Sequence, residues 1–160
     1  MKTKKTLFYL FISFIVIALD QITKFAVRLY MPGQSIPIFG KYFSLTHVEN
    51  PGAAFSIGFE SSEFNRVFFS IITFFLTFVI LIMMKKAKVG WEKLAYSMIL
   101  GGAIGNLIDR LAFGSVTDFF DVYFFNIFGL ERWPIFNIAD SSIVVAIVIL
   151  LVYTFFFEKR

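Results

Sequence analysis

The chain has 160 residues, of which 58% are hydrophobic and 16% are charged, and its formal net charge is +4. A soluble domain of this size needs more polar surface than this composition supplies, so the sequence is typical of an integral membrane protein. Cysteine is absent and His47 is the only histidine. These counts exclude disulfides, thiolate metal sites and a cysteine nucleophile, and they argue against a zinc hydrolase. We therefore expect neither a metal nor a cofactor.

Four apolar segments follow one another along the chain, each close to the roughly 20 residues that a bilayer-spanning helix needs. We predict helices at residues 6–27, 64–84, 92–112 and 135–157. The first is expected to be retained rather than cleaved as a signal peptide, because it is long and contains Asp20 and Lys24. The third is the least hydrophobic, and its glycines would let a neighbouring backbone approach closely. Residues 1–160 are expected to form one membrane domain.

Positive charge is concentrated at the termini and in the middle loop. The residues concerned are Lys2, Lys4, Lys5, Lys85, Lys86, Lys88, Lys93, Lys159 and Arg160, against Arg28, Lys41, Arg66 and Arg132 in the opposite loops. By the positive-inside rule both termini are cytoplasmic, and segments 28–63 and 113–134 face outward. Alternation in the first of these predicts short strands on the bilayer surface. The cations form no basic stripe among aromatics, so no nucleic-acid partner is expected.

Charged residues inside the predicted spans need an explanation, because each costs about 2.5–3.5 kcal/mol at the bilayer centre. Asp20 and Lys24 are four residues apart and are expected to pair on one helix face. Counting about 1.5 Å per residue puts Asp109 at a similar depth to Asp20. Arg110 either neutralises one of these acids or binds a substrate carbonyl, and the sequence leaves both roles open.

The acids near the outer face are the strongest candidates for chemistry. Asn137 and Asp140 share one stripe of the fourth predicted helix, which contains no cation to neutralise Asp140. With a helix start at residue 135, Asp140 lies a full turn too deep for a capping residue. Asp118 and Asp121 lie in an aromatic-rich outward segment that we expect to cover the bundle as a loop. Periodicity alone does not choose between these two.

Two carboxylates brought close together share one proton, and this arrangement suits peptide hydrolysis by acid and base catalysis without a metal. A serine hydrolase is a weaker alternative, because Ser141 and Ser142 lie in no GxSxG elbow. A transporter or channel would place polar residues along the full depth of the bundle, whereas the inner halves of the first and last spans are apolar. A scaffold gives no reason for an unpaired Asp140.

Five motifs in this order resemble lipoprotein signal peptidase, also called signal peptidase II. They are DQITK, NPGAAF, GGAIGNLIDR, VTDFFD and FNIADSS, and they extend over nearly the whole chain. The resemblance implies an all-α membrane protein, a four-helix transmembrane bundle with a small extracytoplasmic β-cradle and a loop or short helix over the site. It also implies an aspartyl endopeptidase of the bacterial inner membrane that cuts diacylglyceryl-modified prolipoproteins before the lipid-modified cysteine.

The same resemblance implies roles for individual residues. The catalytic pair would be Asp118 and Asp140, which favours Asp118 over Asp121. The substrate-binding residues would be Asn50, Gly52, Asn106, Arg110 and Asn137, and the structural polar support would be Asp20, Lys24 and Asp109. Expected partners are the prolipoprotein substrate, membrane lipid and globomycin-like cyclic peptide inhibitors. We expect the protein to act as a monomer.

Overall fold

A computed structural model describes residues 2–52, 59, 61–127 and 130–157. It contains four helices, namely α1 (Lys2–Tyr30), α2 (Ser62–Lys86), α3 (Gly90–Phe113) and α4 (Ile138–Phe156). Each predicted apolar segment thus forms a helix. Lys159 and Arg160, which contributed to the predicted orientation, lie outside the described residues.

Two helix boundaries differ from the prediction in ways that affect the site. Helix α1 continues to Tyr30 instead of ending at residue 27, so Arg28 is helical. Helix α4 begins at Ile138 instead of residue 135, because the Asn137 side chain caps it by accepting a hydrogen bond from the Asp140 amide. Asp140 therefore lies in the first turn of α4, and the prediction that it is a full turn too deep in the helix for a capping role was wrong.

Within the described part of the chain, three helices are long and apolar enough to cross a membrane, and they extend over Thr6–Tyr30, Ser62–Lys86 and Ile138–Phe156. The remaining helix, α3, packs against all three of them. Its glycines permit this contact: a Cβ built on Gly102 would lie 2.5 Å from the Ala139 carbonyl oxygen, and one on Gly105 would lie 2.6 Å from an Asp20 carboxylate oxygen. Helix α3 therefore lies at the centre of the helical part, and the close backbone approach predicted for its glycines is confirmed at Gly102.

A small antiparallel sheet adjoins the helices at the ends that were predicted to face outward. Its strands are β1 (Ser35–Phe39), β2 (Phe43–Asn50), β3 (Val116–Ile127) and β4 (Leu130–Arg132), paired in that order. The predicted β-strands of the first outward segment are confirmed. The prediction of a loop or short helix at residues 113–134 was wrong, because the β-branched and aromatic residues that begin this segment form β3.

Strand β3 brings the chain before α4 close to the sheet. The backbone amides of Phe119 and Phe120 donate to the Phe136 carbonyl oxygen at 3.1 and 2.7 Å, and Phe136 returns a bond to Phe120 at 3.1 Å. The residue after Phe136 is Asn137, the cap of α4. The pairing therefore places the start of α4 directly beside Asp118.

Candidate active site

Asp118 lies on β3 opposite Val48 of β2, and its side chain is 3% exposed. One carboxylate oxygen accepts a hydrogen bond from Asn137 Nδ2 at 2.7 Å, and the other accepts one from Asn50 Nδ2 at 3.1 Å. Asn50 lies on β2 and Asn137 caps α4, so the position of Asp118 depends on the tertiary fold and not on its local sequence.

Asp140 takes part in a capping box at the start of α4. Its backbone amide donates to Asn137 Oδ1 at 2.9 Å, and its own Oδ2 accepts from the Asn137 amide at 3.3 Å. Its other oxygen accepts from Asn106 Nδ2 at 2.8 Å. Among the described residues, Asp140 forms no ion pair. Its carboxylate is therefore held by amide groups alone.

Asp118 and Asp140 line one cavity of about 730 Å³. Asn137 connects them, because its Nδ2 bonds to Asp118 while its Oδ1 holds the Asp140 amide. Asn50, Asn106 and Arg110 also face this cavity, and its apolar walls include Val48, Pro51, Ile143 and Val144. The cavity thus combines two acids with amide donors and an apolar wall.

The environment of Asp118 favours its protonated form. Burial, and after it the nearby Asp140 carboxylate, raise the pKa of Asp118 from 3.8 to about 7. The hydrogen bonds from Asn50 and Asn137, and the charge of Lys24, lower this pKa and oppose the rise. A pKa near neutral lets the Asp118 carboxyl both hold and release a proton, which suits general acid and base catalysis.

Arg110 contacts the backbone of the segment that follows β2. Its Nη2 donates to the Gly52 carbonyl oxygen at 3.0 Å, and its Nη1 donates to the Asn106 carbonyl oxygen at 3.4 Å. Its Nε is buried and has no hydrogen-bond partner among the described residues. Among the described residues Arg110 forms no ion pair with Asp20 or Asp109, which pair with Lys24 and Arg28 instead.

Beneath the cavity lies a buried ionic cluster formed by α1 and α3. Lys24 Nζ lies 2.9 Å from Asp20 and 3.3 Å from Asp109, and all three side chains are 0% exposed. Arg28 pairs with the other Asp109 oxygen at 3.3 Å. Each acid in the cluster also holds a site element. Asp20 accepts from the Ala139 amide of α4 at 3.0 Å, and Asp109 accepts from the Thr117 amide of β3 at 3.0 Å.

Three residues that support the site, Arg28, Gln21 and Thr117, were not predicted from the sequence. Arg28 Nη1 donates to Thr117 Oγ1 at 2.8 Å, directly before Asp118, and Gln21 Nε2 reaches the Gly105 carbonyl oxygen at 3.0 Å. The spacing of Asp20, Lys24 and Arg28, four residues apart each time, was the available signal. It was overlooked because the predicted helix ended one residue before Arg28.

Asp121 lies on the other face of β3 from Asp118, because residues three apart on a strand point to opposite faces. It is 1% exposed and pairs with Arg132, whose Nε donates to it at 2.6 Å. Thr46 Oγ1 donates to its second oxygen at 2.7 Å. Asp121 does not line the cavity that contains Asp118 and Asp140.

Comparison with known proteins identifies the family. Residues 12–156 match the family model described as signal peptidase (SPase) II. The chain belongs to the signal peptidase II family. This confirms the resemblance in the sequence motifs and, with it, the expected enzyme class, an aspartic endopeptidase.

Individual relatives match almost from end to end. The lipoprotein signal peptidase of Borrelia hermsii is 38% identical over 151 residues, which cover 92% of this chain and 89% of the relative. That of Moorella thermoacetica is 37% identical over 145 residues and 89% of each chain. A bacterial membrane enzyme solved by the in meso method has a TM-score of 0.79 and 31% identity, with 94% of each chain covered. The protein is accordingly a multi-pass membrane protein.

Proposed function

We propose that the protein is an intramembrane aspartyl endopeptidase that removes the signal peptide from diacylglyceryl-modified prolipoproteins at the lipid-modified cysteine. Membership of the signal peptidase II family supports the removal of signal peptides from prolipoproteins. One observation carries the mechanistic part: Asp118 and Asp140 line the same cavity and are connected through Asn137. The two aspartates are the proposed catalytic pair.

In the proposed reaction, an ionised carboxylate of the pair removes a proton from a water molecule as the water oxygen bonds to the scissile carbonyl carbon. The protonated carboxyl donates its proton to the leaving nitrogen as the carbon–nitrogen bond breaks. The products are a carboxylate on the signal peptide and an amine on the lipid-modified cysteine. Acid and base catalysis of this kind contributes about 10²- to 10⁴-fold for each group.

The polar residues around the pair suit a bound peptide backbone. Arg110 already donates to the Gly52 carbonyl oxygen and carries a buried Nε, so its fork can bind a backbone carbonyl of the substrate. The Asn50 Oδ1 atom accepts from the Gly52 amide at 3.0 Å, which fixes both residues at the rim. Asn106 and Asn137 contact the two carboxylates directly and would hold them in place as substrate binds.

The surroundings of the site fit a lipid-linked substrate. The cavity opens beside apolar side chains of α4 and next to Trp133 and Pro134, which precede that helix. Tryptophan is enriched where acyl chains meet headgroups, which is the level of a bond next to a diacylglyceryl anchor. We propose that α3 is the fourth span, because its charged residues are shielded by three apolar helices.

Four spans would place both termini on the cytoplasmic side of the bacterial inner membrane, with the sheet and the cavity on the outer side. Residues 1–160 would then form a single catalytic domain that acts as a monomer. The cavity would also be the binding site of globomycin-like cyclic peptides, which resemble a backbone presented to the two aspartates.

The test is cleavage of a purified, diacylglyceryl-modified prolipoprotein in detergent, followed by mass spectrometry of both products. Asp118→Asn and Asp140→Asn should each lower the rate by at least about 10³-fold while leaving an intact, monodisperse protein. Asp121→Asn is the control, with at most a modest loss, since Asp121 faces away from the cavity. Near wild-type cleavage by either of the first two variants would overturn the proposal.

A further inference from the structure

The two aspartates have different electrostatic surroundings. The asymmetry begins at Asn106, whose Oδ1 accepts from Lys24 Nζ at 2.7 Å and from Asn137 Nδ2 at 3.1 Å. Two donors on this oxygen fix the amide in one orientation, because the flipped amide would turn its NH₂ group towards them. Asn106 Nδ2 must then point at Asp140, to which it donates at 2.8 Å.

Lys24 therefore lies one amide group away from Asp140, in a place with no access to solvent. Its side chain is 0% exposed. In such surroundings a positive charge acts over a longer distance than in water, because little solvent screens it. Helix α4 adds to this effect, since Asp140 lies in its first turn, where backbone N–H groups favour negative charge. Asp118 lies on β3, outside the first turn of α4, and only the side chain of the cap residue Asn137 connects it to that helix start among the described residues.

The charged groups around Asp140 come from four elements. They are Lys24 and Asp20 on α1, Asp109 and Arg110 on α3, Glu49 on β2 and Asp118 on β3. Asp20 and Asp109 partly balance Lys24, and Arg28 in turn pairs with Asp109. Lys24 is the cation that reaches Asp140 through a fixed hydrogen-bonded amide.

We propose that Lys24, acting through Asn106, is a positioning residue that keeps Asp140 ionised at rest and leaves the shared proton on Asp118. This inference rests on the proposed function. It makes Asp140 the general base that activates water and Asp118 the general acid that protonates the leaving nitrogen. The raised pKa of Asp118, about 7, agrees with the assignment.

The test is the pH profile of kcat/KM, in which the acidic limb reports loss of the first proton of the pair and the alkaline limb loss of the second. Lys24→Gln removes the charge, so the acidic limb should move to higher pH by about one unit. Asp20→Asn leaves Lys24 less neutralised, so the acidic limb should move to lower pH. The alkaline limb should move less in both variants, because Lys24 is the smallest of the influences on the pKa of Asp118.

Lys24→Gln leaves two buried acids with less compensation and can impair folding. Asp20→Asn combined with Lys24→Gln restores the balance of charge, and its acidic limb should lie about one pH unit above that of Asp20→Asn alone. Lys41→Gln is the matched control, because it removes the same kind of charge from an exposed residue outside the cavity, and its limbs should coincide with those of the wild type.

Movements of the acidic limb in opposite directions in Lys24→Gln and Asp20→Asn support the assignment. A purely structural role would lower the rate of both variants without moving their limbs in opposite directions. A larger movement of the alkaline limb in the Lys24 variants would place the resting proton on Asp140 and overturn the proposal, as would unchanged limbs. Failure here is distinguishable from failure of the proposed function, because Asp118→Asn and Asp140→Asn would still be inactive.

Discussion

Replacement of Asp118 by asparagine should change how the stability of the protein depends on pH. In the folded protein the pKa of Asp118 is about 7, compared with 3.8 for the exposed group. The folded state therefore binds this proton more tightly than the unfolded state does. Its contribution to stability is fully present below pH 3.8 and is lost as the pH rises through about 7. The difference between the two pKa values corresponds to about 4 kcal/mol in the free energy of unfolding.

Most of this contribution to stability is lost within a pH range that experiments can cover. Between pH 5 and pH 8 the wild type should lose about 2–3 kcal/mol through Asp118 alone. Asp118→Asn removes the titrating group, so the difference in unfolding free energy between the wild type and the variant should change by that amount. Unfolding in detergent micelles can be followed by tryptophan fluorescence, since Trp133 lines the cavity. A difference that stays constant from pH 5 to pH 8 would refute the raised pKa and, with it, the inference that Asp118 holds a proton at neutral pH.

Two further predictions concern packing and substrate binding. Gly102→Val should lower the thermal unfolding temperature and the cleavage rate together, because its Cβ would lie 2.5 Å from the Ala139 carbonyl oxygen and 2.8 Å from Ser142 Oγ. Overpacking of this kind costs about 1–3 kcal/mol in the free energy of unfolding. An unchanged unfolding temperature would contradict the close contact. Arg110→Lys keeps the charge but loses the fork of donors, so KM for the prolipoprotein should rise about tenfold with a smaller change in kcat. A change in kcat alone would show that Arg110 acts in the chemical step rather than in binding.

Hydropathy was sufficient to locate the four helices, because each contains a long and mainly apolar segment; among the described residues, α1, α2 and α4 are apolar enough to cross a membrane. It did not locate the helix ends at the site. The start of α4 depends on a cap that Asn137 makes while also bonding Asp118 and Asn106, so the preference of an isolated segment does not determine it. The end of α1 extends to include Arg28 because Asp109 and Thr117 bind that side chain from other elements.

The motifs singled out both proposed catalytic aspartates, but the conformation that joins them was not predictable from local sequence. The segment containing Asp118 was expected to be a loop over the bundle, and it is a strand because β2 and Phe136 provide backbone partners on its two edges. Pairing between residues about 70 positions apart, such as Val48 and Asp118, leaves no trace in a single sequence. For the same reason the sequence did not reveal that Asp118 and Asp121 face opposite sides.

The ionic cluster was predicted in outline, since the depths of Asp20 and Asp109 suggested that they meet. The unexpected feature is its connection to the proposed catalytic pair. Asp20 binds the start of α4 and Asp109 binds the start of β3, so the cluster holds the two elements on which Asp140 and Asp118 lie. Spacing along one helix indicates which residues share a face, but it gives no information about the backbone amides that approach from other elements.

A double-mutant cycle on the single-turnover cleavage rate tests whether Asp118 and Asp140 act as one catalytic unit, as proposed. Groups that act together lose their effect together, so Asp118→Asn, Asp140→Asn and the double variant should all fall to a similar residual rate, at least about 10³-fold below the wild type. Losses that multiply in the double variant would contradict a shared mechanism, and so would either single variant cleaving at close to the wild-type rate.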